Sequence, residues 1–174
     1  MLDLFRQTIA NQYGAALKML GDAIDKCEAK HWEAKVGQFP FWHVSYHVLF
    51  CTDMYLSPTF AKFKEPEFHK KNYNFLGKLP WPPFQEVVAD EPYKKAVLSG
   101  YVETCRGKVV KVVGKETEAS LAGPSGFDWI GFPRAQLHLY NLRHIQHHMG
   151  ALNAFLARTQ GKGAAWVGTD SLLQ

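Results

Sequence analysis

His144 and His148 lie four residues apart in the run Asn141-Leu142-Arg143-His144-Ile145-Gln146-His147-His148-Met149-Gly150. On a helix that spacing puts both imidazoles on one face, one turn apart. Apolar periodicity gives the inward stripe of this segment as Leu137, Asn141, His144, His148, Leu152 and Phe155, with Ala151 beside it. Polar residues at the centre of a buried stripe need partners, because an imidazole nitrogen buried without one costs roughly 1–3 kcal/mol. A hydrogen-bond acceptor, a water or a metal ion would each meet that need. His47, one turn beyond His43 on an earlier helical segment, also faces inward, so packing the two segments together gathers His47, His144 and His148. Three neutral imidazoles with an open fourth position make a catalytic type of divalent-metal site. Zinc suits it best, and nickel, iron, manganese and copper are compatible. A core histidine bonded to a backbone carbonyl is the plainer reading of each residue taken singly. The mid-stripe pair together with a third histidine on another helix favours the metal.

Other metal and nucleophile patterns are missing. Ile145 follows His144 where zinc proteases of the His-Glu-x-x-His type carry their general base. Glu103 falls off the apolar stripe of its helix, so the inward acids of a di-iron bundle are absent. No Cys-x-x-Cys-His, phosphate-cradling glycine loop or Gly-x-Ser-x-Gly turn occurs. His43 reads as a partly exposed first-turn residue, with a fourth ligand or a proton carrier as the other option. His147 is turned about 100° from His148, toward solvent or a neighbouring helix. Asn141 either orients a substrate or a metal-bound water, or bonds a loop backbone. His31, His69 and His138 have no supporting pattern.

Four segments have the periodicity to position these side chains. Phe5, Ile9, Tyr13, Ala16, Leu20, Ile24 and Cys27 mark a long amphipathic helix from about Leu4 to Cys27. A second starts near Pro40, carries His43, His47, Phe50, Cys51 and Met54 on one side, and ends at Pro58. The third is read from Asp90 as cap and Pro92 in the first turn, through Tyr93, Val97, Tyr101, Cys105, Val109 and Val112. The fourth runs from Pro133 to about Thr159, with Gly161 as its stop. No stretch alternates with period two over strand length, so the expected fold is all-α. It is a four-helix bundle in a single domain over residues 1–174, with a long aromatic and proline-rich insertion between helices two and three. The many aromatics in that insertion, Phe60 to Phe84 among them, predict an ordered cover, either a cap on the core or a pocket lid.

The chain's 174 residues, 47% of them hydrophobic, suffice for one core. Its net charge of +4 is scattered, and the local excess at Lys108, Lys111 and Lys115 is offset by Glu103, Glu116 and Glu118. That pattern reads as a solvated helix face and argues against nucleic acid as a partner. Cys27, Cys51 and Cys105 are odd in number and sit in apolar-periodic segments, which predicts buried, unpaired thiols in a cytoplasmic protein. No apolar run approaches the roughly 18 residues of a membrane span, and the first residues lack a targeting pattern, so no membrane partner is expected.

Taken together, the long first helix, the inward His47, the variable insertion and the final His144-x-x-x-His148 followed by Gly150 resemble the DinB/YfiT-like superfamily of metalloenzymes. The resemblance covers most of the chain. It implies that His47, His144 and His148 bind a divalent metal, in a four-helix bundle of unusual connection order that is frequently a homodimer. It further implies a small-molecule substrate and metal-dependent thiol S-transferase or isomerase chemistry with a low-molecular-weight thiol. The family's usual His-Arg-Gly-Gln stands here as His148-Met149-Gly150-Ala151, so the ligands match and the Arg and Gln do not. Zinc or nickel is the expected ion, with iron or manganese next, and an aromatic wall from Phe60 to Phe84 is expected to line the thiol pocket. A non-catalytic bundle with a structural metal or none is the rival reading. A fourth protein ligand such as His43 or Asp128 would favour that rival.

Overall fold

Each of the four periodic segments forms a long helix in the computed structural model, which describes residues 1–173. They are α1 (Leu2–Lys26), α2 (Phe41–Leu56), α3 (Lys95–Val113) and, after a short α4 (Glu118–Ala122), α5 (Arg134–Gln160). More than half of the chain is helical. Strand structure among the described residues is limited to a minimal antiparallel hairpin of β1 (Lys35–Val36) and β2 (Phe39–Pro40), turned at Gly37 with φ +67°. Both α1 and α2 pack against α3 and α5, while α1 and α2 meet only marginally. Around the core the order is therefore α1, α3, α2, α5, with the first two helices diagonal to each other. No helix among the described residues is long and apolar enough to cross a membrane.

α2 is enclosed almost all round, as expected of a helix apolar on every side. His47 and Cys51, one turn apart, are its only members that are not fully buried. Pro40 precedes its first turn and Ser57 closes it, one residue ahead of Pro58. α5 ends where Gly161 turns left-handed at φ +73° and its N–H returns to Ala157.

α3 begins later than its periodicity suggests. Tyr93 instead accepts the Trp32 indole N–H on its carbonyl (2.8 Å), and the Asp90 carboxylate accepts the Tyr73 hydroxyl (2.8 Å) rather than capping a helix. α4, which sequence periodicity did not single out, is nucleated by a reciprocal cap in which Thr117 and Ser120 each bond the other's backbone N–H. Two of the charged residues read as a solvated helix face are not free in water. The Lys108 ammonium turns to the Asp53 carboxylate and the Ser57 hydroxyl, and Glu116 is buried.

Arg134, at the start of α5 and only 4% exposed, plugs the end of α2. Its guanidinium donates to the carbonyls of Tyr55 (3.0 Å), Ser57 (2.8 Å) and Leu56 (3.0 Å), the acceptors a helix terminus leaves unsatisfied. Its Nε donates to Glu116 Oε1 at 3.0 Å. Glu116 also meets His138 Nε2 at 3.1 Å, and the Ser120 hydroxyl donates to its other oxygen.

Gly126 carries the neighbouring loop at φ +88°, and a Cβ there would lie 2.1 Å from the Pro58 carbonyl oxygen. Gly126→Ala should therefore lower stability by about 1–3 kcal/mol through backbone strain, with the close contact adding to it. The shift of the urea midpoint measures this, and an unchanged midpoint would mean that the loop relaxes freely.

Candidate metal centre

α2 and α5 bring three histidines together. One nitrogen from each of His47, His144 and His148 lies within 4.8 Å of the others. His47 Nε2 and His144 Nε2 are 3.1 Å apart, and the His148 ring centroid is 5.0 Å from that of His47 and 4.7 Å from that of His144. All three are half-buried.

The His47 ring is oriented by the connection between α2 and α3. Its Nδ1 lies 2.6 Å from the Asn74 carbonyl, an acceptor only, so Nδ1 carries the proton and Nε2 presents its lone pair to the other two histidines. His144 Nδ1 is buried with no hydrogen-bond partner. Burial, with the neighbouring His47, His148 and His147 adding to it, brings the His144 pKa down to about 3. Burial followed by His47 and His147 brings His148 down to about 4. His47 is lowered too, by burial against the opposing bond to Asn74. All three are thus neutral imidazoles at physiological pH, the form that binds metal.

The donor set fits a divalent ion. Two nitrogens at roughly 2.0–2.1 Å from one tetrahedral ion sit roughly 3.3 Å from each other, close to the 3.1 Å between His47 and His144. Two lone pairs facing at that distance repel unless a proton or a cation lies between them. The carbonyl-anchored His47 Nδ1 has the outward role usual for a ligating imidazole, whereas His144 Nδ1 meets no acceptor.

Along α5 the buried residues are Arg134, Leu137, His138, Asn141, Ile145, Met149, Leu152, Phe155 and Leu156. Ile145 and Met149 hold the centre of this stripe. The histidine pair flanks this stripe instead of filling its middle, and Ala151, read as lying beside the stripe, is exposed. The shift of about one residue arises because α5 packs on α1 and α2 at once, which turns His144 and His148 toward the edge that His47 reaches.

His43 is buried rather than partly exposed. It stacks on Trp42 and its Nε2 bonds the Tyr73 carbonyl at 2.8 Å, so it lies outside the group of three. Tyr73 and Asn74, consecutive in the connection, thus orient the two histidines of α2. His147 is exposed and Asp128 is exposed, and neither belongs to the group. Asn141 donates to the Thr52 carbonyl of α2 at 3.2 Å. His138 has the geometry its sequence context did not reveal, being enclosed by Glu116 and Tyr13. The Cys51 sulfur lies 3.8 Å and 4.0 Å from the two nitrogens of His47, and burial pushes its thiol up to about 12. All three cysteines are unpaired, Cys27 and Cys105 buried and Cys51 partly so.

His47 and His144 line a cavity of about 1070 Å³. Its walls come from α2 (Phe50, Met54), the α2–α3 connection (Phe60, Phe63, Phe75, Trp81) and the loop before α5 (Trp129). His69 also lines it, with Nδ1 2.5 Å from the Tyr46 hydroxyl. Sequence periodicity could not find His69, since it lies in irregular structure and its partner is 23 residues away. Compared with protein-family models, with curated proteins and with solved structures, the chain gives no match.

Proposed function

We propose that this chain is a divalent-metal-dependent enzyme in which His47, His144 and His148 hold the ion, with zinc or nickel the best fit and iron or manganese next. The observation that carries the reading is the convergence of three neutral imidazoles, two of which, His47 and His144, line a large cavity. When bound, such an ion lowers the pKa of a water or thiol and polarises a nearby electrophile. The chain's own part is to hold the donors and to shape the space beside them. Asn74 keeps the His47 proton on Nδ1, and the neutral, half-buried environment keeps His144 and His148 ready to ligate. His43 is engaged by Tyr73 and Asp128 is exposed. With neither positioned to close the shell, a coordination position stays open for a reactant.

The packing order of the long helices and the arrangement of the histidines support the DinB-like four-helix bundle as the fold family. The wider reading follows from that resemblance: a cytoplasmic homodimer acting on a small molecule, with a low-molecular-weight thiol as co-substrate in an S-transferase or isomerase reaction. The test is metal analysis of untagged protein after loading with zinc or nickel, for wild type, His47→Ala, His144→Ala, His148→Ala and His147→Ala. About one ion per chain is expected in wild type and in His147→Ala, with sharp loss in the other three. The loaded wild type is then assayed against thiols paired with electrophiles, and a metal-dependent product identifies the reaction. Equal metal content in all five proteins, or none in wild type, would remove the metal site and with it the enzyme reading. Metal retained with no turnover across the panel would favour a structural ion.

A further inference from the structure

The cavity beside the histidines has its own chemistry. Its interior is aromatic: Phe50 and Phe63 meet edge to face with centroids 5.1 Å apart, as do Phe75 and Trp81 at 5.2 Å. Phe60 and Trp129 pair the same way at 5.1 Å, and Phe60, Trp81 and Trp129 are each about half exposed, so they form a rim open to solvent. Aromatic rings left half in water around an apolar hollow are a cost that a ligand of matching character removes. At about 1070 Å³ the hollow lies at the upper end of the range that holds drug-sized ligands.

Charge within it is sparse and balanced. Glu65 and Lys71 are the charged side chains lining it, and both are exposed. Burial holds His69 below the ordinary histidine range, so it is neutral. Its Nδ1 faces the Tyr46 hydroxyl, and the phenol is the better donor of the two. That leaves Nε2–H as the donor, close to the cavity, with the Glu65 carboxylate 3.7 Å away at the mouth. Asn72 and Asn74 supply further neutral polar contacts. No cluster of basic side chains is present to receive the carboxylates or phosphates of a strongly anionic ligand.

From this we infer that the cavity binds a neutral, bulky, aromatic or polycyclic small molecule, stacked among Phe60, Phe63, Phe75 and Trp81, with its reactive end toward His47 and His144. The inference takes the three histidines as the reactive end of the site, but the body of the ligand is recognised by the aromatic wall and not by an ion. Binding of an unreactive aromatic probe is therefore separable from the metal reading.

N-phenyl-1-naphthylamine, a neutral fluorophore with no strong metal-binding head, is the probe. Titrated into the full-length protein, it should bind at one site per chain with blue-shifted, enhanced emission. Phe60→Ala and Trp81→Ala, each in a rim residue whose loss leaves the core packed, should weaken it about tenfold or more. Trp166→Ala, in an exposed residue outside the cavity, should leave affinity within about twofold of wild type, as should the absence of added metal. Millimolar glutathione, polar and anionic, should not displace the probe. Helical dichroism of each variant checks that the fold is kept. Non-saturable binding, equal affinity in the rim variants, or displacement by glutathione would overturn the proposal. Normal probe binding by wild-type protein that never takes up metal would retain the aromatic pocket and reject the metal centre alone.

Discussion

Arg134→Met should destabilise the protein by about 3–5 kcal/mol, the range for removing one partner of a buried ion pair. Arg134 is 4% exposed and Glu116 is 7% exposed. Methionine fills a similar volume, so most of the loss is electrostatic and polar. It leaves the Glu116 carboxylate short of its cation and the carbonyls of Tyr55, Leu56 and Ser57 short of their donor. The measurement is urea unfolding followed by helical dichroism. Glu116→Leu alone should also be costly, whereas Arg134→Met with Glu116→Leu should recover part of the loss, the coupling expected of residues in one network. A midpoint for Arg134→Met unchanged from wild type would mean that water replaces the guanidinium at little cost.

The same network makes stability depend on acid. Burial by itself would raise the Glu116 pKa, but hydrogen bonds from His138, Ser120 and Arg134, with the Arg134 charge, outweigh it and bring the carboxyl from about 4.5 down to about 2. A carboxylate whose pKa is lower in the folded chain than in the unfolded one stabilises the fold above the unfolded value. That contribution is lost as pH falls from about 4.5 through about 2, the interval in which the unfolded chain takes up a proton and the folded one does not. Glu116→Gln should flatten the stability profile over that interval, and an identical acid limb in wild type and variant would contradict the assignment.

Zinc should raise the melting temperature of wild type by roughly 5–11 °C at a free concentration a hundredfold above its dissociation constant. That range follows from about 2.7 kcal/mol of ligand-linked stability and about 2–4 °C per kcal/mol for a chain of this size. His144→Ala should abolish the shift, because one of the two nitrogens 3.1 Å apart is then gone. His147→Ala should keep it, since His147 is exposed and outside the group of three. As the ion takes neutral imidazoles, protons compete with it, and the shift should shrink as pH falls. A shift of the same size in His144→Ala would place the stabilising ion elsewhere.

Local patterns in the chain carried much of this organisation. The four long helices follow from three-to-four-residue apolar spacing, and Pro40, Pro133 and Gly161 mark boundaries within a residue or so, because backbone restrictions act locally. The spacing of His144 and His148 sets their common face for the same reason. Where a residue's role depends on a partner far along the chain, the sequence is silent. Glu116 reads as one charge of a solvated helix face, and Arg134 carries no signal of its own, until the fold puts them together in the core at the end of α2. His43, on the same face as His47, is drawn away by the Tyr73 carbonyl, and His47 is aligned by Asn74. Neither bond has a local signature, since a carbonyl can come from any residue type. The one-residue shift of the buried stripe in α5 depends on two neighbouring helices at once, and the aromatic cavity depends on how the irregular segment from Phe60 to Trp81 lies against α2. Periodicity along one helix determines which side chains share a face. Only the packing of the other helices and the long connection decides how far that face is buried and what meets it, because those contacts join residues far apart in the chain.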